Sequence, residues 1–198
     1  MTQANIAGTG KKYMPRHAAK ARRSKNFWLI LIKCIGWLLL GAAAGYAFYY
    51  FFSDFTVAAI DRYKFLQSIF GISQYEQGAK YLNVVLAILV GNAISTAAYF
   101  TLGYFRTLIP LAIISGFFMV LLIFAGAARR GISDIPLEVI ILFSAEAFYR
   151  CLALSAGEHL FFSRAEKKHV LAVSLVVIFL LLTGTAFYEV YQIFGYVF

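Results

Sequence analysis

Acidic residues are scarce in this chain. Nine Asp and Glu stand against eighteen Lys and Arg in 198 residues, and all charged residues together reach only 14%. A soluble domain usually carries about 25% charge to wet its surface, so the shortage excludes that class before any motif is sought. Cysteine is nearly missing. Cys34 and Cys151 have neither metal-ligand spacing nor a flanking histidine, which excludes a zinc site or a disulfide framework. They read as small buried hydrophobes, and a disulfide between them would need two helices to bring them together. The histidines, His17, His159 and His169, fall in polar stretches without ligand-like grouping and read as wetted surface. HExxH, GxxxxGK[ST], CxxC and GxSxG are all missing, so no familiar hydrolase, kinase or metalloprotease machinery is present. The expectation is a non-enzyme with no cofactor and no metal. An intramembrane enzyme would have to rest on Glu146 with Ser144 or Ser155, a thin basis.

What is abundant is hydrocarbon. The chain is 62% hydrophobic with a mean hydropathy of +0.76, and its apolar runs are long enough to cross about 30 Å of lipid. A helix satisfies its own backbone in oil. A β-barrel would show short alternating segments, whereas these runs are continuous. The predicted fold class is all-α: a polytopic membrane protein with about five transmembrane helices, at 27–52, 81–102, 107–127, 136–156 and 170–187, and one interfacial helix. Residues 27–198 form a single helical bundle in this reading, and 1–26 a basic tail.

The first span is bordered by Phe27 and Trp28 at one end and by an aromatic cluster, Tyr46 to Phe52, at the other. About 26 polar residues precede it and the run is too long for a signal peptide, so it is expected to be retained. Lys33 can snorkel to the near surface. GAAAG, from Gly41 to Gly45, is a small-xxx-small face suited to close helix packing. Residues 53–80 mix apolar positions with Asp61, Arg62 and Lys64, which predicts a short helix in the headgroup plane, ended by Gly71. Pro110 sits in the first turn of the third span and Pro136 opens the fourth, positions where a missing N–H does least harm. Gly131 is expected to terminate the third span. GEHLFFSRAEKKH is expected to be a charged connector.

Basic residues set the orientation. The tail holds Lys11, Lys12, Arg16, Lys20, Arg22, Arg23 and Lys25; with Arg106, Arg164, Lys167 and Lys168 this makes eleven on one side of a five-span protein. The other side holds five: Arg62, Lys64, Lys80, Arg129 and Arg130. The bias predicts a cell-membrane protein with a cytoplasmic N-terminus and an external C-terminus. Arg16, Lys20, Arg22, Arg23 and Lys25 are the candidate contacts to anionic lipid or a partner. Nucleic acid is not the expected partner.

The chemistry-bearing anomaly is the fourth span. Glu138, Glu146 and Arg150 lie in or near hydrocarbon, where an unpaired charge costs several kcal/mol. Glu146 and Arg150 are four apart, acid first, and meet on one helical face. Glu138 lies eight before Glu146 on the same stripe, and Asn92, Ser95 and Thr96 of the second span could add polar contacts. Three readings stay open: mutual neutralisation that locks the bundle, a site for an ion, proton or polar solute, or an ionic contact to a membrane partner. Glu189, between Tyr188 and Tyr191, is expected at an interface.

Pro136 followed by Glu138, Glu189 in FYEVY, Asn83 at the start of the second span and the small residues around Gly91 resemble the stage II sporulation protein M family over about residues 81–192. That resemblance implies a small multi-span organiser or a transporter-associated subunit. Both routes lead to a non-catalytic structural subunit of a membrane complex, partnered by other membrane subunits or by further copies of itself. The alternative is a transporter or channel component using the Glu138, Glu146 and Arg150 stripe.

Overall fold

The computed structural model describes residues 26–69, 81–132, 134–162 and 167–194. The basic tail residues Arg16, Lys20, Arg22, Arg23 and Lys25 lie outside the described residues, as do Gly71 and Arg164. Among the described residues the chain forms six α-helices and no strand: α1 (Phe27–Phe51), α2 (Ser53–Ile69), α3 (Tyr81–Tyr104), α4 (Leu108–Arg129), α5 (Leu137–Phe162) and α6 (Lys167–Phe194). All but α2 are long and apolar enough to cross a membrane. Their outward faces carry Leu29, Ile32, Leu86, Ile94, Phe179 and Leu180 in the open, which water would not tolerate as a continuous surface but lipid does. The chain is an integral membrane protein.

Local chemistry sets the helix ends. Asn26 caps α1, its side-chain oxygen accepting from the Trp28 N–H at 3.1 Å. One non-helical residue, Phe52, separates α1 from α2, and its carbonyl accepts from both the Thr56 N–H and hydroxyl. Helix α4 ends in a Schellman motif: Gly131 adopts φ 67°, while Ile132 N–H donates to Ala127 and Gly131 N–H to Ala128. Helix α3 ends the same way with Arg106 in the left-handed position, φ 67°, Thr107 N–H donating to Leu102 and Arg106 N–H to Gly103. The Pro136 carbonyl accepts from Val139 and Ile140, so α5 begins one residue later than the proline.

Two helix pairs form by backbone contact. In α1 and α4, a Cβ on Gly41 would fall 2.0 Å from the Ile113 carbonyl oxygen and one on Gly116 1.9 Å from that of Leu38. Gly45 meets Phe117 in the same way. The partners advance together, 41 with 113 and 45 with 117, so α1 and α4 run parallel. Helices α3 and α5 repeat the arrangement: Gly103 lies on Leu154, and Gly157 on Phe100 and Tyr104. Helix α6 packs back along α5 and places Ala186 and Val190 against Val84, Val85 and Ile88 of α3.

The bundle ends follow from side-chain contacts. Phe27 of α1 meets His159 of α5 edge-on at 5.8 Å, and Arg106 lies over the rings of Phe161 and Phe162. These mark the proximal end, where α1 begins. At the distal end α2 rests on α1 and α4, and Asp61 pairs with Arg129 at 2.7 Å. The basic pair Arg129–Arg130 thus stands beside α2.

The connector expectation needs correcting. Helix α5 does not stop near Ala156; it continues through Gly157 to Phe162. Glu158 and His159 are consequently buried. Gly157 gives close contact with α3, and that packing carries the helix past the charged residues. His159 is therefore a core residue and not wetted surface.

Candidate intramembrane polar site

Helix α5 carries the site. Arg150 stands near the middle of this 26-residue helix, roughly 20 Å of rise from either end. Its Nη2 donates to Glu146 Oε2 at 2.9 Å, one helical turn away. The guanidinium also lies over the Tyr149 ring, 5.9 Å from its centroid. Glu138 does not join them. Eight residues of helix separate it from Glu146 by about 12 Å, and it is exposed at the distal end.

A second carboxylate takes the place expected for Glu138. Antiparallel packing of α6 on α5 brings Glu189, half-buried, within electrostatic reach of both Glu146 and Tyr149. Two carboxylates thus stand near one another, and the guanidinium is bonded to Glu146. The Tyr149 hydroxyl and Arg150 Nε are buried donors without a well-formed hydrogen bond among the described residues. Each such donor carries a penalty of about 1–3 kcal/mol.

Asn92 stands elsewhere. It is half-buried on α3, and its carbonyl accepts from Thr96 Oγ1 at 2.7 Å. The polar contribution of α3 comes one turn further on, at Tyr99. Its hydroxyl lies 2.5 Å from Ser115 Oγ of α4, and Ser115 donates to the Leu111 carbonyl at 2.6 Å. Ser115 has a single hydroxyl proton, so Tyr99 is the donor. Tyr99, Ser115 and Arg150, with Phe143, Ala147 and Met119, line a cleft of about 120 Å³. That holds a few water-sized groups and no more.

A separate buried polar stripe occupies the α1/α5 seam, formed by Cys34 of α1 with Cys151, Ser155 and Glu158 of α5. Beside it, a cleft of about 500 Å³ is lined by Phe27, Trp28, Leu152, His159 and Ser174. Sequence spacing holds a signal for part of this: 151, 155 and 158 share one helical face. Nothing in spacing indicates which helix covers that face. Among the described residues, no group of three or more His, Cys, Asp or Glu could hold a metal ion.

No family model, no curated protein and no solved structure matches this chain.

Proposed function

We propose that this chain is a non-catalytic structural subunit of a membrane protein complex, set in the cell membrane with its basic tail cytoplasmic and its C-terminal end external. The observation that carries the reading is the inward turn of the intramembrane charges. Arg150 is bonded to Glu146, Glu189 stands beside them, and the adjoining cleft is only about 120 Å³. Charges arranged so are neutralised within α5 and leave little room for a hydrated solute. The outer faces favour partners in the bilayer: Gly36, Gly91 and Gly184 have open space where a Cβ would stand, so another helix can approach closely there. The partners are other membrane subunits or further copies of this chain, with anionic lipid at Arg16, Lys20, Arg22, Arg23 and Lys25. The resemblance to the stage II sporulation protein M family, carried by Pro136, Glu138 and Glu189, supports the same role. Purification from native membranes in mild detergent tests the proposal. Partners or copies in fixed ratio are expected, and a monomeric, partnerless chain at native abundance would overturn it.

One observation favours a second reading, a transporter or channel component. Two neighbouring carboxylates, with a cation bonded to one of them, can hold a shared proton between them. In reconstituted vesicles this reading requires ion or proton movement that Glu146→Gln abolishes without unfolding. Unchanged flux in that variant would remove it.

A further inference from the structure

The α1/α5 seam joins the two glycine-locked pairs, α1 with α4 and α3 with α5. Its register is fixed by the Phe27–His159 ring contact. Counting seven residues inward along α1 reaches Cys34, and seven or eight back along the antiparallel α5 reaches Leu152 and Cys151. The two cysteines therefore meet at one level of the bundle. The two thiols are close enough to influence each other electrostatically, and Ser155 stands beside Cys34. Both belong to the same buried core, Cys34 at 0% and Cys151 at 3% exposure. Both are free thiols.

We propose that Cys34 and Cys151 are a redox pair, oxidised by hydrogen peroxide to a disulfide that staples α1 to α5 and reduced again by a small dithiol. The chemistry balances in two steps. One thiol sulfur attacks the peroxide oxygen, the O–O bond breaks, and a sulfenic acid and one water form. The second thiol then attacks the sulfenic sulfur, the S–O bond breaks, a second water leaves, and the S–S bond closes. Closure to about 2.05 Å requires the two helices to hold the cysteine Cα atoms within about 7 Å, which packing of α1 on α5 at this level favours. The cleft lined by Leu152, the residue after Cys151, and by His159 gives a small uncharged oxidant an approach from the proximal end. A bond at this place would tie one glycine-locked pair to the other and restrict movement along the seam. Burial keeps bulky thiols such as glutathione from the bond, so its reduction requires a small dithiol that can enter the bundle.

The test is peroxide treatment of native membranes, alkylation of remaining thiols, proteolysis and mass spectrometry. The expected result is one peptide pair joined through Cys34 and Cys151, lost in Cys34→Ser and in Cys151→Ser. Unfolding of the wild-type protein in detergent should shift to higher temperature on oxidation and return with dithiothreitol. Two thiols that remain alkylatable after treatment would overturn the proposal. So would a link between two copies of the chain, or separate over-oxidation of each cysteine. The wild-type chemistry decides the matter even if a serine variant folds poorly.

Discussion

At the scale of single residues, the charge cluster has an uneven composition that makes its parts unequal. Removing Arg150 leaves two neighbouring carboxylates, Glu146 and Glu189, with no cation bonded to either, whereas removing the Glu146 charge also removes its repulsion of Glu189. Arg150→Met is therefore expected to lower stability in detergent by about 3–5 kcal/mol, the usual consequence of breaking a buried pair. Glu146→Gln should cause a distinctly smaller loss. Thermal or denaturant unfolding of both variants checks the order, and equal losses would remove Glu189 from the cluster. Arg106 offers a second contrast. An L-residue in the left-handed region costs about 1–2 kcal/mol, and Arg106 offsets this by lying 5.1 Å from the Phe162 centroid and 5.6 Å from that of Phe161. Arg106→Ala keeps the backbone penalty and loses the ring contacts, while Arg106→Gly loses the contacts and sheds the penalty. The alanine variant should be less stable than the glycine variant by about 1 kcal/mol. The Glu146–Arg150 contact was legible because four residues of helix place two side chains together whatever surrounds them. Glu189 was not, because its level beside Glu146 depends on how α6 is set against α5, a tertiary fact that spacing along one helix does not contain.

At the scale of helices, backbone contact distinguishes glycines that look alike in sequence. Gly41, Gly116, Gly103 and Gly157 each face a carbonyl of a neighbouring helix at a distance no Cβ could occupy, while Gly36 and Gly91 face open space. Alanine at any of the first four should push two helices apart and lower stability by about 1–3 kcal/mol. Gly36→Ala and Gly91→Ala should leave the isolated chain unharmed or raise its stability by about 0.5–1 kcal/mol through helix propensity. Unfolding measurements on the six variants separate the groups. The Asp61–Arg129 pair joining α2 to α4 is exposed on both sides. Asp61→Asn should therefore change stability by less than about 1 kcal/mol. Helix existence was readable from apolar run length, and the start of α1 from Phe27 and Trp28 after the polar tail. The extension of α5 through Glu158 and His159 was hidden, because polar residues near a helix end suggest a connector until a neighbour such as α3 is known to cover them.

At the scale of the molecule, five crossings connect side-chain contacts to charge placement. Asn26, Arg106 and Phe162 gather at the end where α1 begins, and Phe52, Asp61 and Arg129 at the other. Three of the connections therefore alternate between ends, as successive crossings require, and the basic pair Arg129–Arg130 falls at the distal end, against the bias of the other Lys and Arg. The parallel course of α1 and α4, fixed by glycine contacts alone, agrees with that alternation. Oligomeric partners left no such trace, because lipid and a neighbouring subunit select the same apolar surface. The most direct test uses single cysteines introduced at Ser24 and at Gln192, with Cys34 and Cys151 replaced by alanine, labelled in sealed membranes by an impermeant thiol reagent. Five crossings predict that the two positions react from opposite faces of the membrane. Labelling of both from the same face would contradict the account.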